Sequence, residues 1–411
     1  MWIQRQEGYC LKEIAGVQYL LPYGQKVADQ RNGILLNDTG IFLWNMLMKP
    51  MTDEELAEKL VQQYSADREA AEEIRKDVKQ FVQELLTLGI LQECLVPVCQ
   101  FGEDTTDCIY PTKEPLAGYL KIANMRIALY GLRELISHQF DVFFTDAEGK
   151  EARAEKQTKL QIGMQIQIQQ RVPAFYPNGK TLIRNSELIV SENQQGYVVV
   201  FPSMNQIREA HMTADGRFVQ VYVRGWDKEK TQEELFHAIR HFFLFFAQRQ
   251  SFFVLHSASI LYRGQAWLFS GHSGMGKSTH TNLWKEQFGT EIINGDLNLI
   301  GQNENGRPIV YGMPWCGTSG IASTKSYPLG GIVLLGRSDN DHFESLQNDQ
   351  KIVRVMQRMI SPVWTEDMLE ANLECAAKLA KEVPIYYLLC TKEPSAAYVM
   401  KARIDKEDAQ Q

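Results

Sequence analysis

The chain has 411 residues, of which 44% are hydrophobic and 23% charged, a composition typical of soluble globular protein with room for two or three domains. Its formal net charge of −7 argues against a broad nucleic-acid surface, and its seven scattered cysteines do not resemble a disulfide framework. No signal peptide or bilayer-spanning apolar run is present, so we expect a cytoplasmic protein that binds neither nucleic acid nor membrane.

The first segment, residues 1–93, is predicted to form a small winged-helix-like domain of three strands and three helices. Short strand-like runs closed by glycine come first, and an Asn-Asp pair in GILLND can cap the first helix. Thr52 and Glu55 have the spacing of a capping box at the start of the second helix. The third helix is amphipathic, and Gly89 is predicted to end it.

The order GILLNDTGIFLWNML, DEELAEKL and DVKQFVQELLTLGIL resembles the PqqD family across nearly all of this segment. The resemblance implies a module that binds the leader of a ribosomally made precursor peptide as an added strand beside residues 33–36, resting on the third helix. The residues that it implies at this peptide-binding face are Ile34, Leu36, Val78 and Phe81. A DNA-binding winged helix is the alternative, but the third helix carries five acidic residues where DNA recognition needs basic ones.

A linker is predicted over residues 94–115. It contains Cys94, Cys99 and Cys108, whose spacing matches no common zinc or iron–sulfur site. Thiolates that cluster in this way can still bind metal, so metal binding by these three cysteines stays open beside the simpler interpretation of a proline-bearing linker.

Residues 116–250 are predicted to be a β-rich accessory region that ends in a helix. This helix should begin at Thr231, with Glu234 completing a capping box. His237 and His241 follow at positions i and i+4, a spacing that can bind metal. Because the surrounding sequence is rich in phenylalanine and has no HExxH pattern, we interpret the two histidines as part of a packed helix.

The third segment, residues 251–411, contains the sequence GHSGMGKS, a complete Walker A pattern between a predicted strand and a predicted helix. Its glycines let the backbone approach a phosphate chain, and its N–H groups with the helix N-terminus form an anion site. The pattern predicts that Lys277 reaches the β and γ phosphates of ATP and that Ser278 binds Mg²⁺. The predicted nucleotide-binding residues are Gly271, Ser273, Gly274, Gly276, Lys277, Ser278 and Thr279.

A P-loop kinase also needs a carboxylate to organise the metal, and Asp296 in INGDLNLI is the candidate. Four stretches follow one another in the third segment: LHSASILYRGQAWLFSGHSGMGKSTHTNLW, INGDLNLI, YGMPWCGTSGIAS and SYPLGGIVLLGR. Their order resembles the HPr kinase/phosphorylase-related family, which shares its P-loop core with phosphoenolpyruvate carboxykinases. The resemblance implies that Lys277 stabilises the transferring phosphoryl group and that Asp296 positions metal and removes the acceptor proton. It also implies that His256 lies near Asp296, although a buried structural histidine is an equal alternative.

The third segment also departs from that family. Many members have two adjacent aspartates, whereas Gly295 precedes Asp296 here, and the family's later glutamate-bearing signature is absent. GMPWCGTSGIAS stands in its place and is expected to line the acceptor pocket, with Cys316 as part of that lining. These departures argue against the reverse, phosphorylase reaction.

The sequence as a whole therefore predicts a multidomain α+β protein in which a leader-binding domain is joined to a P-loop α/β kinase core. The expected function is ATP- and Mg²⁺-dependent phosphorylation of a Ser or Thr hydroxyl in a precursor peptide. Two alternatives stay open: a nucleotide-switched module that presents the peptide without phosphorylating it, and a kinase for a small molecule such as an amino acid. Other maturation enzymes are further expected partners, and a homo-oligomer is left open.

Overall fold

A computed structural model describes residues 2–48, 51–64, 68–94, 114–145, 163–171 and 179–408. The chain divides into two compact units, residues 1–105 and 106–411. Helices and sheets mix in both, so the prediction of a mixed α+β fold is confirmed. Cys99 and Cys108 of the predicted linker lie outside the described residues, and Cys94 is described only as the last residue of a strand.

The described part of the first unit has two three-stranded sheets, with the strand orders β5-β1-β6 and β2-β3-β4. The strands are β1 Trp2–Arg5, β2 Tyr9–Ile14, β3 Val17–Pro22, β4 Ile34–Leu35, β5 Met51–Thr52 and β6 Leu91–Cys94. The helices are α1 Gln25–Ala28, α2 Asp38–Met46, α3 Asp53–Tyr64 and α4 Arg68–Thr87. The predicted count of three strands is wrong. Strands β4 and β5 have only two residues each, too few to show an alternating pattern, and the pairing of β1 with β6 joins residues that are far apart in the sequence.

The helix ends of the first unit are fixed by local capping, as predicted. The Asn37 side chain accepts a hydrogen bond from the Gly40 N–H at 2.8 Å. The Thr52 hydroxyl accepts one from the Glu55 N–H at 3.1 Å, and the Glu55 carboxylate accepts one from the Thr52 N–H at 2.8 Å. Gly89 follows α4 at φ +68°, the left-handed conformation that favours glycine.

The second unit begins with a nine-stranded sheet in the order β11-β12-β13-β14-β15-β10-β8-β7-β9. Its strands are β7 Leu116–Ile122, β8 Met125–Tyr130, β9 Phe144–Thr145, β10 Met164–Gln169, β11 Lys180–Arg184, β12 Ile189–Asn193, β13 Gly196–Val200, β14 Ile207–Thr213 and β15 Phe218–Val223. Two 3₁₀ helices, Arg133–Leu135 and His138–Phe143, lie between β8 and β9. A long helix, α5 Lys228–Arg249, follows the sheet, so the predicted β-rich region ending in a helix is observed.

The start of α5 differs from the prediction. Asp227 is its N-cap and accepts a hydrogen bond from the Lys230 N–H at 3.1 Å, so the helix begins three residues before Thr231. The Glu234 carboxylate instead accepts the backbone N–H groups of Asn205, Gln206 and Ile207, where the chain enters β14, at 2.9, 2.6 and 3.1 Å. The predicted capping box is therefore wrong: Asp227 caps the helix in place of Thr231, and the Glu234 carboxylate bonds a distant part of the backbone.

An eight-stranded sheet completes the second unit. Its strands are β16 Phe253–Tyr262, β17 Gln265–Ser270, β18 Glu291–Asn294, β19 Leu297–Gln302, β20 Pro308–Tyr311, β21 Ser326–Arg337, β22 His342–Glu344 and β23 Ile385–Cys390. The helices are α6 Lys277–Phe288, α7 Asn348–Met356, α8 Glu366–Glu382 and α9 Pro394–Asp408, with a 3₁₀ turn at Gly317–Ser319. β17 pairs with both β16 and β21, which closes β16, β17, β21, β20 and β19 into a ring.

Helix α5 joins the two sheets of the second unit. Its phenylalanines share one hydrophobic core with strands β7–β15 and with Leu297, Met313 and Trp315. These three residues belong to the loop-bearing region, residues 251–408, which contains the glycine loop. The Trp315 indole N–H donates to the Phe236 carbonyl at 2.9 Å, which ties the two regions together in the core. The β-rich region and the loop-bearing region are therefore parts of one compact unit.

Candidate active site

The glycine loop runs from β17 to α6. The helix begins at Lys277, as its sequence predicted, and Gly276 is the N-cap residue at φ +96°. Gly274 has φ +76°, so both glycines occupy a conformation that other residues adopt only with strain. The Arg337 guanidinium donates to the Gly274 carbonyl at 2.7 Å, which holds the loop from a distant strand.

Lys277 lies inside the loop. Its side chain is buried, with 9% of the residue exposed, and Nζ donates to the Gly271 carbonyl at 3.2 Å. Burial lowers the pKa of Lys277, although the nearby Asp296 charge favours the protonated form. An ammonium has three donors, so this amine still has donors for an anion placed against the loop.

Asp296 and His256 form a hydrogen-bonded pair beside the loop. His256 Nε2 lies 3.1 Å from Asp296 Oδ1, and each side chain is one-third exposed. The hydrogen bond from His256 lowers the pKa of Asp296 against the effect of burial, and the charges of Lys277 and Arg240 lower it further. The carboxylate is therefore ionised at neutral pH, the form needed to bind a cation or to accept a proton.

A buried asparagine, which the sequence did not single out, holds the turn that carries Asp296. The Asn294 side-chain oxygen accepts the N–H groups of Asp296 and Leu297 at 2.9 and 3.1 Å, and its amide donates to the Met313 carbonyl at 3.3 Å. This Asx turn fixes the backbone direction at Asp296. The spacing of Asn and Asp in INGD was the sequence feature that could have predicted this turn.

These groups surround a cleft of about 460 Å³. Among the residues predicted for the nucleotide, metal and catalytic roles, the cleft is lined by His256, Ser273, Gly274, Lys277, Ser278 and Asp296. The other three predicted residues lie beside it: Gly271 accepts the Lys277 amine, Gly276 caps the helix, and Thr279 is exposed on α6.

Only part of the segment GMPWCGTSGIAS, which was predicted to line the acceptor pocket, lies at the cleft. Ser319 and Ile321 line the cleft. Trp315 is buried in the shared core, and Cys316 lies outside the lining of the cleft. Burial raises the pKa of the Cys316 thiol, which opposes a role as a thiolate nucleophile.

Gly295 occupies the position where many members of the resembling family have the first of two aspartates. A Cβ built on Gly295 would lie 2.3 Å from Ser319 Oγ and 2.4 Å from Ser319 Cβ. Real Cβ atoms do not approach that closely, so a larger residue at 295 requires Ser319 to move. The glycine therefore fits a local arrangement in which Ser319 fills the adjacent space.

Two further residues that the sequence did not predict influence this region. Arg358 Nη2 lies 2.7 Å from the His272 ring on the loop, and the Arg358 carbonyl accepts the His256 N–H at 2.9 Å. Arg240 on α5 is close enough to Asp296 for each charge to shift the other's pKa. Both arginines lie far along the chain from the residues that they influence, so no local pattern marks them.

The four predicted peptide-binding residues lie in the first unit. Leu36 and Val78 are core residues, 9% and 1% exposed, and Ile34 and Phe81 are partly buried against the same core. Direct contact of Leu36 and Val78 with a peptide is therefore at odds with their burial. Side chains alternate along a strand, so Leu35 is the one that faces outward from β4, at 61% exposure.

The backbone of Leu35 also faces outward. β4 is the edge of its sheet, with Leu35 opposite Tyr19 of β3. The Leu36 N–H donates to the Gln18 carbonyl at 3.0 Å, so the alternation of an antiparallel ladder makes Leu35 and Tyr19 a non-hydrogen-bonded pair. The N–H and C=O of Leu35 therefore point to the open edge of the sheet.

Residues 27–91 match the family model described as coenzyme PQQ synthesis protein D (PqqD). This part of the chain is a PqqD-like domain, as its sequence resemblance predicted. No curated protein is significantly similar to the chain in sequence. The structure of the Hpr(Ser) kinase/phosphatase from Coxiella burnetii matches 38% of this chain and 97% of its own, with 8% identity and a TM-score of 0.23. That similarity is weak and carries no functional argument.

Among the described residues, every helix is too short or too polar to span a bilayer. In the same ranges, no three His, Cys, Asp or Glu side chains cluster as a metal site.

His241, one of the two histidines on α5, has its pKa lowered to about 3 by burial, and its ring lies 5.5 Å from that of Phe201.

Proposed function

We propose that the chain is an ATP-dependent kinase that phosphorylates a Ser or Thr hydroxyl of a ribosomally made precursor peptide. The observation that carries the proposal is the meeting of Lys277, Ser278 and the His256–Asp296 pair around one cleft. A phosphoryl-transfer site needs a phosphate cradle, a metal-binding oxygen pair and a proton acceptor, and these residues supply one group for each need.

The loop residues fit a nucleotide phosphate chain. Gly274 and Gly276 have the positive φ angles of a loop that turns its backbone around an anion, and Lys277 has unused donors directed by the same loop. Ser278 and Asp296 would hold Mg²⁺, which neutralises phosphate charge when bound and commonly takes only one or two protein ligands. A serine and one aspartate make such a site, so it does not require the cluster of three His, Cys, Asp or Glu side chains that is absent from the described ranges.

The chain's own residues account for the transfer. Asp296 would accept the proton of the acceptor hydroxyl, and His256 would hold the carboxylate in place through its hydrogen bond. The hydroxyl oxygen then forms a bond to the γ-phosphorus while the bond from that phosphorus to ADP breaks. Lys277 would stabilise the charge on the transferring group.

The PqqD-like domain would supply the substrate. We propose that the precursor leader pairs with the open edge of β4, using the outward N–H and C=O of Leu35. Holding the leader on the same chain raises the effective concentration of the core peptide at the cleft. The first unit would thereby select the peptide, and the second would modify it.

Mass spectrometry tests this function with purified protein, ATP, Mg²⁺ and the precursor peptide encoded beside the gene. The expected result is a mass gain of one phosphate on the core peptide, absent with Lys277→Ala. Lys285→Ala is the matched control, because Lys285 is an exposed lysine on the same helix and should leave the reaction intact.

Two other outcomes would each replace the proposal. Leader-dependent binding without any mass gain supports the nucleotide-switched presentation module, the alternative that Gly295 favours by standing where a second aspartate is common. Phosphorylation of free serine or threonine in preference to the peptide supports a small-molecule kinase.

A further inference from the structure

Two adjoining cavities lie in the second unit, apart from the cleft of the candidate active site. Their volumes are about 220 Å³ and about 480 Å³, and Pro308 and Glu382 line both of them. We call the two together the double cavity, and its size is common for ligand pockets. It shares no lining residue with the cleft that holds Lys277 and Asp296.

The double cavity lies at the far ends of the strands that carry the candidate active site. β17 begins there with Gln265 and Trp267 and ends at Ser270, directly before the glycine loop. β19 begins directly after Asp296, and its residues 300–302 line the double cavity. A strand of six residues spans about 17–20 Å, so a ligand in the double cavity would not occupy the nucleotide cleft.

The Trp267 indole is a buried donor that lacks an acceptor. The residue is 3% exposed, and its Nε1 has no hydrogen-bond partner among the described residues. A Cβ built on Gly330 would lie 2.7 Å from this nitrogen and 3.0 Å from the Cβ of Gln265, and both residues line the double cavity. The N–H therefore lies at the wall of the double cavity, where an unpaired donor is costly unless a ligand supplies an oxygen.

The Gln248 side chain is a buried acceptor that lacks a donor. The residue is 5% exposed, and its Nε2 donates to the Pro362 and Met368 carbonyls and to Asn372 Oδ1, at 2.8, 3.2 and 2.8 Å. Exchanging the amide nitrogen and oxygen would set an oxygen against three acceptors, so these bonds fix the orientation of the amide. Its Oε1 has no partner among the described residues and is the polar atom left for the double cavity, which Gln248 lines.

The charges around the double cavity balance. Its charged lining residues are Arg307, Glu374, Lys378 and Glu382, two of each sign, and Lys378 Nζ lies 3.7 Å from the Glu382 carboxylate. Part of the remaining wall is apolar, formed by Phe253, Ile300, Leu329, Leu379 and Val383. A matching ligand therefore has no net charge, an apolar body, an oxygen for the indole N–H and an N–H for the glutamine oxygen.

We propose that the double cavity binds a molecule of no net charge that carries a carboxamide beside an apolar group. The carboxamide oxygen accepts from the Trp267 N–H, and an amide N–H of the same molecule donates to Gln248 Oε1. Such chemistry is found both in a peptide segment and in a free amide-bearing metabolite, and the test distinguishes these two sources. The inference goes beyond the proposed kinase function and does not depend on it.

Nuclear magnetic resonance of the wild-type protein with isotope-labelled, assigned tryptophan indoles tests the site. N-acetyl-leucine amide is the probe for a peptide segment, and free L-glutamine is the probe for a metabolite. Binding should shift the indole N–H resonance of Trp267 and leave those of Trp284 and Trp315 in place, because these two already donate to His280 and to the Phe236 carbonyl. The probe that causes the shift identifies the source of the ligand.

Glu382→Trp tests the location of the bound probe. Glu382 is exposed and lines both cavities, so the larger side chain should fill the place where they adjoin and leave the core intact. We expect the affinity for the probe to fall by about tenfold or more, since burial and hydrogen bonding are both lost. Lys381→Trp is the matched control, because Lys381 is the exposed neighbour on α8 and lines neither cavity, and it should bind like the wild type.

The inference is overturned if neither probe shifts the Trp267 resonance at millimolar concentrations, if the three indole resonances shift together, or if Glu382→Trp binds the probe as well as the wild type does. None of these measurements contains ATP or a precursor peptide. Their failure would therefore leave the kinase proposal standing, and a failure of phosphorylation would leave this site standing.

Discussion

The two units differ in the kind of group that each exposes at its candidate site. The first presents a strand edge, where the backbone of Leu35 faces outward and the neighbouring side chains belong to the core. The second presents charged side chains, His256, Lys277 and Asp296, drawn together from separate elements. Leader affinity should therefore depend on backbone geometry, whereas phosphoryl transfer should depend on individual side-chain charges.

Asp296→Asn should give the largest effect, because it keeps the shape of the side chain and removes the proton acceptor. We expect the phosphorylation rate to fall by about 10²- to 10⁴-fold, with leader affinity unchanged. Asp339→Asn, at an exposed aspartate of the same unit, is the control and should leave the rate unaltered. A rate for Asp296→Asn within tenfold of the wild type would remove the proton-acceptor role.

Acidification should separate the stabilities of the two units. All eight histidines lie after residue 105, and burial lowers the pKa of His280 to about 4. The unfolded chain protonates this histidine below its ordinary pKa of about 6.5, while the folded chain does not, so stability falls as the pH drops from about 7 towards 4. The loss attributable to His280 is at most about 3 kcal/mol.

Thermal unfolding of His280→Gln measures that loss. The Trp284 indole N–H donates to the His280 ring at 3.3 Å, and glutamine keeps an acceptor there without titrating in this range. The variant should show a flatter dependence of melting temperature on pH than the wild type. Equal slopes for the two proteins would show that His280 does not contribute to the acid sensitivity.

Gly295→Asp tests whether the position tolerates the second aspartate common in the resembling family. We expect a loss of about 1–3 kcal/mol in stability and no gain in activity, because the new Cβ collides with Ser319. Adding Ser319→Gly should recover most of the stability. A single variant that is as stable as the wild type would contradict the steric explanation.

Leu35→Pro should have the smallest effect and isolates the backbone contribution of the first unit. Proline removes the outward N–H and leaves the hydrogen bonds between β3 and β4 in place, so leader affinity should fall by about tenfold with little loss of stability. Leu35→Ala keeps the N–H and is the matched control for the side chain. If Leu35→Ala lowers leader affinity as much as Leu35→Pro does, contact with the Leu35 side chain dominates and the backbone edge is not the main binding group.

Local signals in the sequence were sufficient for parts of this molecule. Asn37, Thr52 and Gly89 mark helix ends because capping acts within a few residues, and the Walker A pattern marks the start of α6. The capping box predicted at Glu234 was wrong because that carboxylate accepts a hydrogen bond from the distant Gln206 N–H.

Other parts depend on contacts that no local pattern records. Arg358 bonds the glycine loop from a turn far along the chain, and the charge of Arg240 on α5 influences Asp296. The space behind Gly295 is filled by Ser319 only in the folded protein. The inward direction of Leu36 and Val78 likewise follows from packing, which family resemblance alone did not reveal.

Phosphorylation of the whole precursor should be measured beside that of the core peptide without its leader, since this pair isolates the contribution of the first unit. If the first unit holds the substrate for the second, kcat/KM for the whole precursor should exceed that for the core by about 10²-fold or more, the gain expected of linked binding. Leu35→Pro should reduce that ratio and leave the rate on the core peptide unchanged. Equal kcat/KM for the two peptides would show that the first unit does not hold the substrate for the second.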